Sequence, residues 1–128
     1  MLRYSHIRRL LQFYDIFFML GSQIGEKGFM DNYQQISNFL VGYFADEWYA
    51  IAIRDIRKNI RINPEDWPII VETIRNRDLL PSQPLSLVKG TANQLLYENS
   101  DEEAYYWLDL MIRNVERTDG QIEEYYSR

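Results

Sequence analysis

The chain has 128 residues, of which 46% are hydrophobic and 26% charged, with no cysteine and a single histidine, His6. That length supports one globular domain whose core needs no disulfide or metal to staple it, and without cysteine there is no thiolate nucleophile and no Cys-based metal site. The formal net charge of −5 argues against a general nucleic-acid binder, because phosphate neutralisation needs a basic footprint.

Residues 1–29 carry a net charge of +2, whereas residues 30–128 carry 10 basic and 17 acidic side chains. The opening LRYSHIRRLLQFYDIFFML places Ile7, Leu10, Leu11, Tyr14, Phe17 and Phe18 at helical spacing. It predicts an extra N-terminal helix in residues 1–22, followed by the polar, Gly-rich linker GSQIGEKG. Gln12 and Asp15 interrupt its apolar run, which is too short to span a bilayer and lacks a small-residue cleavage site. The segment Glu26-Lys27-Gly28-Phe29-Met30 back-translates into a possible ribosome-binding site before an ATG. Residues 1–29 are therefore read as an appendage with Met30 as an alternative start, and residues 30–128 as the main domain.

That domain reads as helical throughout. Ile36, Phe39, Leu40, Tyr43 and Phe44 make one apolar stripe, which Asp31 or Asn32 can cap. Trp48, Ala52, Ile53, Ile56 and Ile60 make a second, although YAIAI is also strand-like. After the break at Asn63-Pro64, Asp66 is a candidate N-cap with Pro68 in the first turn, and Ile69, Ile70, Thr73 and Ile74 form the inward face. LLPSQP reads as a loop, and Leu85, Val88, Ala92, Leu95 and Leu96 as a further stripe containing Gly90. Ser100 with Glu103 forms a capping box. Beyond it Ala104, Trp107, Leu108, Met111, Ile112 and Val115 keep helical spacing over three turns, until Thr118-Asp119-Gly120 ends the helix. The tail QIEEYYSR is expected to fray or to dock weakly. These elements add up to an all-α single domain, an irregular bundle of four to five helices.

Little in the chain resembles catalytic machinery. Glu65-Asp66 and Asp101-Glu102-Glu103 sit where helices begin, where acids complement the helix dipole. There is no Glu-x-x-His pair, calcium loop, P-loop, dinucleotide fingerprint or nucleophile elbow, so neither an enzyme nor a cofactor is expected. Arg54, Arg57, Lys58 and Arg61 share one helix face. They are the candidate phosphate contacts of an alternative reading, a small helical nucleic-acid-associated regulator.

Aromatic residues are the unusual feature, at 15%, with ten tyrosines. Tyrosines in that number exceed what a small core buries with partnered hydroxyls. Beside carboxylates they make rigid, amphipathic anchors for a protein partner. The candidate partner-binding residues are Asp46, Glu47, Asp101, Glu102, Tyr105, Tyr106, Glu123, Glu124, Tyr125 and Tyr126.

The stretch ISNFLVGYFADEWY, with its aromatic pair, acid and Trp, resembles the small bacterial immunity proteins of contact-dependent growth inhibition systems. The later Trp107-Leu108-Asp109-Leu110-Met111-Ile112 resembles their final helix. YAIAIRDIRKNIR departs from the acidic, Gly-containing segment that the family pattern would place after the Trp. The resemblance implies a cytoplasmic, non-catalytic protein. It would bind and neutralise a cognate toxin C-terminal domain, a basic protein and often a nuclease, with no nucleic acid or membrane as partner.

Overall fold

The computed structural model describes residues 31–125. The expected helix of residues 1–22, the linker, His6, Met30 and Tyr126 lie outside them. The described residues form helices and no strand: α1 (Asn32–Tyr43), α2 (Tyr49–Ile62), α3 (Asp66–Arg75), the single turn α4 (Gln83–Leu85) and α5 (Asp101–Glu116).

Each helix starts and stops for a local reason. Asp31 caps α1, its carboxylate accepting the Gln34 N–H at 2.8 Å. YAIAI resolves as helix because Ala52, Ile53 and Ile56 make one buried face of α2. Asn63 leaves helical geometry just before Pro64, as the residue preceding a proline tends to do. In α3, Asp66 is the first helical residue rather than the cap, and Pro68 stays within the first turn. Of the expected LLPSQP loop only residues 79–82 are loop, since Gln83 and Pro84 already belong to α4, which widens into a π-helical stretch, Ser86–Thr91, closed by the Ala92 N–H donating to the Leu87 carbonyl at 2.8 Å.

Helix α5 is the central element. Nine of its sixteen residues are buried, and it packs against α2, α3, α4 and the π-helical stretch. Trp107, Leu108, Met111 and Ile112 are all at most 1% exposed, as their spacing predicts. Phe44 meets the Trp107 ring edge-on at 5.1 Å and Tyr49 at 5.8 Å, so the end of α1 and the start of α2 converge on one indole.

Three residues assigned to inward faces are exposed instead: Trp48 at 79%, Ile69 at 44% and Leu95 at 85%. Trp48 is the extended residue before α2, so helical phase does not govern it. On α3 the inward face runs through Trp67, Ile70 and Ile74, which turns Ile69 away. Leu95 lies after the helical stretch has ended, where a spacing of three or four no longer defines a face.

Candidate functional site

The first turn of α5 carries three consecutive acids with different fates. Asp101 accepts the backbone N–H groups of Ser82 (2.8 Å) and Leu85 (3.3 Å), tying the start of α4 to α5. Glu102 is exposed. Glu103 is buried and accepts the backbone N–H groups of Tyr97 (2.7 Å), Glu98 (2.6 Å) and Asn99 (3.1 Å), together with the Tyr125 hydroxyl. Only half of the predicted capping box forms as expected. Ser100 Oγ accepts the Glu103 N–H at 3.1 Å, but the Glu103 carboxylate gathers the preceding loop rather than the N–H of Ser100. Burial alone would raise the Glu103 pKa; the hydrogen bonds from Tyr125 and the loop amides outweigh it and leave the carboxyl below its ordinary value.

Of the tail expected to fray or dock weakly, the described residues 121–125 are fastened to the helices. The Arg57 guanidinium donates to the carbonyls of Asn114 (2.7 and 3.2 Å), Gln121 (2.7 Å) and Gly120 (3.3 Å). Asn114 is fully buried and pairs with Glu123 as one strand would with another: its Nδ2 donates to the Glu123 carbonyl and its Oδ1 accepts the Glu123 N–H, both at 2.7 Å. The same Nδ2 donates to the Tyr49 hydroxyl at 2.9 Å. Burial pushes the Tyr49 phenol up to about 12, against the partly offsetting bond from Asn114. Tyr125 closes the strap, its ring 5.7 Å from that of Tyr106.

These contacts sort the candidate partner-binding residues. Tyr106, Tyr125, Glu123 and Glu124 share the neighbourhood of the strap, with Tyr106 46% exposed. Tyr97 adds a further exposed ring, because its backbone is bound to the same Glu103 carboxylate that holds Tyr125. Asp46 and Glu47 occupy the α1–α2 turn beside exposed Trp48, where Asn93 donates to the Ala45 carbonyl at 3.5 Å and so brings the turn against the loop carrying Leu95. Asp101 and Tyr105 lie apart from these. Tyr105 is partly covered by the Arg77 guanidinium, 4.3 Å above its ring, and Asp101 is committed to α4. Along the basic stripe Arg54, Lys58 and Arg61 are exposed, while Arg57 is spent on the strap carbonyls.

Glu103, Asn114 and Arg57 were not singled out for these structural roles from the sequence. Asn114 carried a signal: it sits seven residues after Trp107 and three after Met111, on the buried stripe, where an amide requires partners. The described residues leave no buried side-chain nitrogen or oxygen without a hydrogen bond. Among them there is also no group of three or more His, Cys, Asp and Glu side chains that could hold a metal, and no helix long and apolar enough to cross a membrane. Comparison with protein-family models, curated proteins and solved structures finds no match to the chain.

Proposed function

We propose that this chain is a non-catalytic binding protein that neutralises a cognate toxin domain in the bacterial cytoplasm, as an immunity protein of a contact-dependent growth inhibition system. The observation that carries the reading is the exposed aromatic and acidic surface. Trp48, Tyr97 and Tyr106 are exposed, with Asp46, Glu98 and Glu102 exposed on the same elements and Glu123 and Glu124 exposed on the strap. Large rings held in place lose little entropy on binding, and surrounding carboxylates steer a basic partner into contact. An acidic partner can also cover the cationic substrate site of a nuclease and mimic its phosphates.

Co-purification and binding kinetics with the toxin domain encoded beside this gene test the reading. Association should slow as salt rises, since the Debye length falls from about 10 Å at 0.1 M to about 3 Å at 1 M. Glu102→Lys with Glu124→Lys should lower the on-rate while the melting temperature holds. Asp101 is unsuitable for such a reversal, because two backbone N–H groups depend on it. Tyr106→Ala or Trp48→Ala should raise the off-rate, by about 2 kcal/mol or more where the ring is an anchor. A toxin domain that binds with no response to salt or to any of these substitutions would place the interface elsewhere. No toxin gene beside this one, and no binding, would end the reading.

A further inference from the structure

Four of the nine cationic side chains in residues 31–125 line one open groove of about 560 Å³ between α3 and the second half of α5. They are Arg75, Arg77, Arg113 and Arg117, accompanied by Asp109 and Glu116. The two lining acids are already engaged: Arg75 donates to Glu116 at 3.0 Å, and Arg77 grips Asp109 through two N–H groups at 3.1 and 2.7 Å. Arg113 and Arg117 pair outside the groove lining. Arg117 donates to Asp119 through Nε at 3.0 Å and Nη2 at 2.8 Å, which leaves its Nη1 for a further acceptor, and Arg113 approaches Glu123 only to 3.6 Å, beyond hydrogen-bond length. Arg113 lies in the last turn of α5 and Arg117 is the extended residue that follows it, so two like charges line the same groove. The groove thus has two more guanidinium groups than carboxylates among its lining side chains, on a domain that is otherwise strongly acidic.

We propose that this groove binds a phosphate group, with Arg113 and Arg117 as its primary donors and Arg75 and Arg77 completing the rim. A carboxylate offers one charge and two oxygens, which match a single guanidinium fork. A phosphate monoester carries about −1.5 to −2 charge and three acceptor oxygens near neutral pH, so one group can bridge two forks and relieve their repulsion. The groove volume admits free phosphate or a phosphorylated small molecule of nucleotide size. The site meets the surface proposed for the toxin at one ion pair, Arg113 with Glu123.

The test is a titration of the full chain with inorganic phosphate and, separately, with adenosine monophosphate, at ionic strength held constant with sodium chloride. Arginine Nε–Hε resonances are followed by NMR. Saturable shifts at Arg113 and Arg117, absent at exposed Arg54 and Arg61, are the expected result. Arg113→Gln and Arg117→Gln should each weaken binding about tenfold, the loss of one charge-assisted contact, while Glu116→Gln should tighten it by releasing Arg75. Tighter binding of the nucleotide identifies a phosphorylated metabolite as the ligand; equal binding identifies free phosphate. Shifts of equal size at all exposed arginines, or none under either titrant, would overturn the proposal.

Discussion

Glu103 shows how much one side chain can organise. Its carboxylate joins the loop before α5, the first turn of α5 and the strap through Tyr125. Because the folded-state pKa is depressed, the stability it contributes is present above the unfolded value, about 4.3, and is lost as pH falls through the folded value. Tyr125→Phe removes one of the bonds that lower that pKa. It should therefore move the acid limb of the stability curve to higher pH, a shift readable by thermal melting across pH 2–6. Glu103→Gln replaces an acceptor of four bonds by a group with one acceptor oxygen and two donors. It should cost about 1–3 kcal/mol at pH 7, as buried amides lose their partner. Trp107 is the packing counterpart: 1% exposed and flanked by Phe44 and Tyr49, it should cost about 3–5 kcal/mol on truncation to Ala, measured by urea denaturation.

Among the elements, the strap and α2 depend on each other. Four hydrogen bonds from the Arg57 guanidinium serve three carbonyls, two of them in a segment with no secondary structure of its own. Arg57→Met keeps an apolar stem and removes the fork. It should speed amide hydrogen exchange across residues 119–125 and leave the interior of α5 protected until global unfolding. Arg57→Lys should rescue only part of that protection, since a single ammonium lacks the planar fork that reaches separate carbonyls. Equal exchange rates in the wild type and both variants would mean that Asn114 and Tyr125 hold the strap unaided.

At the scale of the molecule, the described residues carry 9 basic and 17 acidic side chains, and four of the bases gather in the α3–α5 groove. The remaining surface is therefore more acidic than the overall balance suggests. The salt dependence and charge-reversal experiments above read this asymmetry directly: electrostatic steering acts on encounter rates, whereas ring truncation acts on dissociation.

The all-α class, the stripe of α5 and the break at Pro64 were readable along the chain, as was a cap of α1 at Asp31 or Asn32, of which the structure uses Asp31, because each follows from periodicity or backbone chemistry within a few residues. The failures at Trp48, Ile69 and Leu95 come from the same source: spacing predicts a face only where a helix exists and only once its phase is known. The polar architecture was not readable in this way. Asn114 meets Tyr49 across 65 positions, Arg57 meets Gln121 across 64, and Glu103 meets Tyr125 across 22. Which donor a buried amide or carboxylate finds depends on how the helices dock, so packing alone decided that Arg57 would hold a strap rather than face solvent. The same docking made Asp101 a backbone anchor and left Glu102 beside it exposed.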